Sequence, residues 1–426
     1  MLTQTERRII QGTMCAVWKG SINQYQTLIG LKKVNLLHQK AAALKNIKIL
    51  HINSTKEGGG VAEILSKMVP LMESLGLNVE WHTIQGDPEF FQCTKKIHNL
   101  LQGDTNHSFS SSDLHIYEQT NKRNAAVLKR PLQEADIVFI HDPQPLSLLS
   151  HITDRKGKWI WRCHIDLSAP SSHVWAYLKK SLDLYDGSIF TMDEFAQKLS
   201  HPTYIIPPGI DPLSEKNREL DPQEIKNIYD QFKIDRNRPS LLQVSRFDRF
   251  KDPLGVIETY RLAKIKYPEL QLILAGGGAS DDPEGEEVLK EVKKSAAGDP
   301  DIHILVLPPN SHRTINALQR GATIVLQKSL KEGFGLTVSE ALWKSKPVIG
   351  GNVGGIRLQI IDGQTGFLVA TPQEAADRVE DFLQTPQLDQ EYGKRGKELV
   401  REKFLITRQL QDYLTVVAEQ SGLPRI

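Results

Sequence analysis

Short apolar runs, each closed by a turn and followed by a stretch of helical periodicity, recur along this chain and constrain its fold more than any other feature. They fall at 47–53, 79–84, 137–141, 158–164, 188–191 and 203–206 in the first half, and at 240–244, 270–278, 302–306, 322–326, 346–350 and 365–369 in the second. Runs this short and this continuously apolar suit parallel strands covered on both faces by helices. The fold expected is α/β, with two Rossmann-like, doubly wound parallel sheets facing a cleft. A chain of 426 residues is too long for one core, so two domains of roughly 200 residues are expected. Pro207-Pro208-Gly209-Ile210-Asp211-Pro212 reads as a stiff crossing between them. The expected domains are therefore 1–210 and 211–404. Residues 1–45 form a helical, polar extension, and a last helix at about 405–426 packs back on the first domain. The polar stretch 102–124 gives little signal, and 389 onward reads as one long helical tail.

Ligand groups in open α/β sheets gather where strands end. His51, Asp142, His164 and Asp166 all fall at the C-terminal ends of apolar runs of the first half, with Gln144 close behind Asp142. Gly58-Gly59-Gly60 lies between a strand and a helix, where missing Cβ atoms let a ligand approach the backbone. A tight turn alone is the other reading. In the second half, Arg246 and Lys251 share the loop after 240–244. Two cations there can neutralise a diphosphate, or be ordinary surface charges.

The richest stretch is Glu332-Gly333-Phe334-Gly335-Leu336-Thr337-Val338-Ser339-Glu340. It predicts a strand, a tight glycine turn and a helix N-terminus. Free N–H groups and a partial positive charge at such a terminus can hold a phosphate. Glu332 and Glu340 could accept hydrogen bonds from hydroxyls on either side, as a nucleotide-sugar would need. A plain strand–turn–helix with a capping glutamate has the same pattern.

Composition excludes several classes. A net charge of +2 gives no basic surplus for nucleic acid. Three scattered cysteines, Cys15, Cys93 and Cys163, offer neither a disulfide framework nor a zinc site and suit a reducing cytosol. No apolar run approaches the roughly 18–20 residues of a membrane span, and the N-terminus lacks the apolar core of a signal peptide. There is no GxGxxG after the first strand and no GxxxxGK[ST], which removes dinucleotide and Walker-loop readings.

Glu332-Gly333-Phe334-Gly335 with Glu340 resembles the E-x7-E signature of retaining nucleotide-sugar glycosyltransferases of the two-Rossmann GT-B class. Ser245-Arg246-Phe247 through Lys251 resembles that class's Arg/Lys pair on the donor diphosphate, and Gly354-Gly355 extends the likeness. The segments 51–63, His141-Asp142-Pro143-Gln144-Pro145 and Trp161-Arg162-Cys163-His164-Ile165-Asp166 are similar to the trehalose glycosyltransferring synthases and their relatives, the trehalose phosphorylases. The loop Arg249-Phe250-Lys251-Asp252 departs from the family's aromatic and glycine but keeps both cations.

The resemblance implies a transferase moving glucose from ADP-, UDP- or GDP-glucose to glucose, making trehalose. Arg246 and Lys251 would hold the leaving diphosphate with the helix end at Gly333, Phe334, Gly335, Leu336 and Thr337. Glu332 would bind donor sugar hydroxyls and Glu340 the ribose. Gly58, Gly59 and Gly60 would approach the donor phosphates from the opposite wall. His164 would stand by the reacting sugar, and Asp142, Gln144 and Asp166 would contact the acceptor. No cofactor is required, no metal site is implied, and Mg2+ can accompany the nucleotide. A homodimer in the cytoplasm is the default expectation. A trehalose phosphorylase and a silent sugar-nucleotide-binding regulator of the same fold are the alternatives.

Overall fold

The computed structural model describes residues 20–104, 108–277 and 285–424. Two parallel six-stranded sheets organise it. The first holds β1 (Lys48–Asn53), β2 (Asn78–Thr83), β3 (Ile137–His141), β4 (Lys158–Arg162), β5 (Gly187–Phe190) and β6 (Thr203–Ile205) in the order β2-β1-β3-β4-β5-β6. The second holds β7 (Ser240–Val244), β8 (Gln271–Gly276), β9 (Ile302–Val306), β10 (Ile324–Gln327), β11 (Val348–Gly351) and β12 (Phe367–Val369) in the order β12-β11-β10-β7-β8-β9. Every residue of β3, β7, β8 and β10 is buried, which is why these strands read as apolar runs without alternation.

Each order reverses once. The reversal lies between β1 and β3 in the first sheet and between β7 and β10 in the second. Helices leave a doubly wound sheet in opposite directions at such a point, so a crevice opens above the strand ends. His141 ends one of the first pair of switch strands, and His51 lies within the other, two residues before its end. Arg246 and Glu332 follow the other.

Each sheet has a core on each face. Ile49, Phe139, Ile160 and Ile189 of the first sheet share theirs with Ile406, Leu410, Tyr413 and Val417 of the final helix, Ile406–Gln420. Leu37 and Ala41 of the helix Leu31–Leu44 join that core. The chain's end is thus anchored on the sheet formed by its beginning.

Sequence and structure part at three places. The expected tail helix is two, Pro386–Lys403 and Ile406–Gln420. Leu405 between them is extended (φ −88°, ψ 148°) and forms a parallel bridge with Ile210. Gly209 lies against it so closely that a Cβ there would come within 2.5 Å of the Leu405 carbonyl carbon. The two strands of chain that cross between the sheets therefore run side by side.

The polar stretch 102–124 contains most of a helix, Ser111–Val127, opened by a Ser110/Asp113 capping box. It is hard to read because its buried face is polar. Asn124 Nδ2 donates to the Gln85 carbonyl and its Oδ1 accepts from the Gln85 N–H, each at 2.7 Å. Tyr117 donates to the Pro143 carbonyl at 2.6 Å. Of the expected extension 1–45, residues 1–19 lie outside the described residues. The remainder is helical but broken by Gly30, whose φ of 83° a helix interior does not allow.

Candidate active site

A cleft of about 380 Å³ runs between the two switch points, within the range of nucleotide-sized sites. Its C-terminal wall is built on the loops after β7 and β10. Glu332 is buried, and its Oε2 collects three donors: Lys251 Nζ at 2.7 Å, Ser329 Oγ at 3.1 Å and Gln327 Nε2 at 3.4 Å. Its Oε1 takes none of them. The lysine is steadied in turn, since its carbonyl accepts from Gln243 Nε2 at 2.7 Å.

Arg246 stands beside Lys251 in the same wall. Both cations lie near Asp248, a buried carboxylate that Lys95 also reaches, at 3.1 Å, from the other half of the chain. Burial works against ionising Asp248, but Lys95, Arg246 and Lys251 outweigh it and hold the carboxyl well below its ordinary value. Asp248 thus stays charged beside the two cations that line the cleft.

Four glycines shape the loop that carries Glu332. A Cβ on Gly333 would meet the His164 carbonyl oxygen at 2.0 Å, so the two halves touch backbone to backbone here. Gly354 would meet the Glu332 carbonyl at the same distance, and the Gly355 N–H donates to that carbonyl at 3.1 Å. Gly335 caps the helix Leu336–Trp343 in the left-handed region, φ 82°. It leaves the N–H groups of Leu336 and Thr337 at the cleft. The Phe334 ring packs on Phe404 in the core, 5.6 Å between centroids, so this residue offers the cleft chiefly backbone.

Opposite stands the glycine triplet. Gly58 and Gly59 have φ of 75° and 89°, which explains two of the three by local backbone geometry. Gly60 begins the helix Gly60–Ser74, and its Cβ position lies 3.4 Å from Leu336 Cδ1 across the cleft.

The first sheet supplies further polar residues of the cleft, at the ends of β3 and β4. Asp142 adopts φ 63°, uncommon for a residue with a Cβ. That bend lets its Oδ1 accept from the His164 N–H at 2.7 Å, so Asp142 fixes the backbone that presents His164. His164 Nε2 lies 2.9 Å from His141 Nδ1. Burial, helped by the Arg162 cation, holds the His164 imidazole well below its ordinary value, hence neutral. Gln144 lines the cleft, and its buried Oε1 has no partner among the described residues.

Three of the expected residues do not line the cleft. His51 is fully buried within β1. Asp166 Oδ1 accepts from the Ser168 N–H at 2.8 Å and shapes its own loop. Glu340 is fully buried behind Lys216, whose Nζ is 2.8 Å from Glu340 Oε1 in an ion pair without hydrogen-bond alignment. The same Nζ reaches Glu63 Oε1 and Oε2 at 3.1 and 2.9 Å, and both Lys216 and Glu63 line the cleft. Lys95, Asp248, Lys216 and Glu63 are the site residues that sequence reasoning missed. Only their spatial convergence on Arg246 or Glu340 marks them, although Glu63 and Asp248 fall in segments that resemble the family. Among the described residues no group of three or more His, Cys, Asp or Glu is placed to hold a metal ion, and no helix is long and apolar enough to cross a membrane.

Residues 51–197 match the family described as "Trehalose synthase, N-terminal domain", and residues 224–399 match "Glycosyl transferases group 1". A trehalose synthase from Pyrococcus horikoshii is 42% identical over 407 residues, covering 95% of this chain and 97% of its own. The chain belongs to the trehalose synthase family. It is a glycosyltransferase of the GT-B fold. A second member, from Rubrobacter xylanophilus, is 44% identical over 95% of this chain and 98% of its own. A trehalose phosphorylase from Pleurotus pulmonarius is 29% identical over 82% of this chain but only 54% of its own. The solved trehalose-phosphate synthase of Burkholderia vietnamiensis superposes with a TM-score of 0.71 at 14% identity, over 88% of this chain and 99% of its own, a likeness of fold.

Proposed function

We propose that this chain transfers glucose, with retention, from a nucleoside diphosphate glucose to the anomeric hydroxyl of free glucose, making trehalose reversibly. The observation that carries the reading is the cation pair. Arg246 and Lys251 face the cleft beside the N-terminus of the helix Leu336–Trp343, with Lys251 locked on Glu332 at 2.7 Å. Two cations and free backbone N–H groups suit a diphosphate that gains charge as it leaves.

In this reading the donor diphosphate lies between Arg246, Lys251 and the N–H groups of Leu336 and Thr337, with Gly58–Gly60 passing its other side. Glu332 Oε1, the oxygen its neighbours leave alone, accepts from donor sugar hydroxyls. His164 contacts the donor sugar, and Gln144 Oε1 accepts from the acceptor. The C1–O bond to phosphate breaks while the acceptor oxygen approaches C1 from the same face. The departing phosphate oxygen takes the acceptor's proton, so no protein base is assigned. Glu340 receives the ribose hydroxyls once Lys216 gives way, with Lys216 retained by Glu63. Asp142 acts by holding His164, and Asp166 by shaping the acceptor loop. Mg2+ can accompany the nucleotide without a protein site of its own.

The test is to incubate the protein with glucose and, separately, ADP-, UDP- and GDP-glucose. Trehalose together with free nucleoside diphosphate is expected with at least one donor. Silence with all three, alongside glucose 1-phosphate release from trehalose and inorganic phosphate, would contradict the reading and favour a phosphorylase.

A further inference from the structure

Three histidines lie on neighbouring chain segments of the first sheet: His51 in β1, His141 closing β3 and His164 just beyond β4. The parallel pairing β1·β3 and β3·β4 stacks them in a row. His51 Nδ1 is 3.0 Å from His141 Nε2, and His141 Nδ1 is 2.9 Å from His164 Nε2. His51 is fully buried, with its ring stacked on Phe139 at 4.9 Å and Tyr413 of the final helix 6.3 Å away. Its Nε2 is buried without a partner among the described residues.

That orphaned nitrogen sets the direction of the row. A neutral imidazole carries one N–H, and each of the two bonds needs one donor and one acceptor. If protons pointed from His164 toward His51, the last of them would sit on His51 Nε2, a buried N–H with no acceptor among the described residues. In the opposite sense a bare lone pair sits there. Buried orphan N–H groups are rarer than under-used acceptors. His51 Nδ1–H therefore donates to His141 Nε2, and His141 Nδ1–H donates to His164 Nε2. His164 is then left with its proton on Nδ1, the tautomer less common for a free side chain.

We infer that His51 and His141 are positioning residues that fix His164 as an Nδ1–H donor toward an oxygen of the sugar in the cleft. The inference rests on the proposed contact of His164 with the donor sugar, but the tautomer itself can be read without substrate. The stacking of His51 on Phe139 holds its ring plane at the far end of the row, and the unpartnered Nε2 sets the sense of its proton. The ligand recognised is thus an acceptor oxygen of the hexose, and a sugar lacking that oxygen would lose the contact.

The experiment uses full-length protein labelled with 15N-histidine, ligand-free, with His164 signals assigned by their loss in His164→Gln. The expected result is one His164 tautomer protonated at Nδ1. Protonation at Nε2, or a mixture, would overturn the inference whether or not the enzyme turns over. His51→Phe should release the row, mix the tautomers and lower kcat about tenfold with little change in KM for the donor. His51→Asn, whose amide can donate from nearly the same place, should restore both. Unchanged tautomer and kcat in His51→Phe would also overturn it. If His51→Phe does not fold, the wild-type spectrum still decides.

Discussion

At the residue scale, the cleft is a set of ions held in place by other ions. Lys251 is oriented by Glu332, and Arg246 and Lys251 are anchored by Asp248. Lys251→Ala and Arg246→Ala should each lower kcat about 10²–10³-fold, the effect of losing one preorganised contact to a developing anion. Steady-state rates on purified, folded variants check this; near-normal turnover in both would remove the leaving-group role. Glu340 is a different case, because it is the buried counterion of Lys216 as well as the proposed ribose acceptor. Glu340→Gln should weaken nucleotide binding, read by calorimetry, more than it slows the chemical step. It should also destabilise the fold, by less than the roughly 3–5 kcal/mol of a fully broken buried pair, because Glu63 still pairs with Lys216. Unchanged nucleotide affinity would remove the ribose assignment.

At the element scale, glycine turns decide how closely the halves meet. Gly333→Ala would drive a methyl group into the His164 carbonyl, 2.0 Å away. The variant should fold, since Gly333 sits at the meeting of the two halves, and lose activity by two orders of magnitude or more. Circular dichroism and a rate measurement separate the two outcomes. Here the limits of the sequence are plain. The strands were legible because parallel strands are apolar along their whole length. So was the strand–turn–helix at Glu332, because glycine marks its turn. The helix Ser111–Val127 was not, because it buries Asn121 and Asn124 where a pattern search looks for leucine. Nor was the bridge between Leu405 and Ile210, far apart in sequence, although the last helix begins close to its expected start at about 405. Among site residues, Arg246, Lys251, Glu332 and His164 were legible as strand-end residues. Lys95 and Lys216 were not, because each matters through partners far away in sequence, Asp248 for the one and Glu63 and Glu340 for the other.

At the scale of the whole molecule, two switch points face each other, and ion pairs Lys95–Asp248 and Lys216–Glu63 tie the halves across the cleft. The first sheet's histidine row adds a pH dependence. Burial holds His51 down at about 3 and His141 and His164 well below their ordinary values. Their folded-state values lie under the unfolded value near 6.5, so on acidification the unfolded chain takes up protons first. Stability present above pH 6.5 should then be lost as pH falls, by about 1.4 kcal/mol per pH unit for each of the three. Thermal melts between pH 7.5 and 5 check this, and His51→Phe should flatten the slope; a flat wild-type profile would contradict the burial of neutral imidazoles. The central claim, that the cleft holds a diphosphate leaving group and moves glucose onto glucose, is tested most directly by proton and carbon NMR. The reaction would contain 1-13C-glucose as acceptor and the active nucleoside diphosphate glucose as donor. The account predicts 13C label in α,α-trehalose, with one nucleoside diphosphate released per trehalose formed. Label remaining in free glucose while the donor is consumed, or a β-linked product, would contradict it.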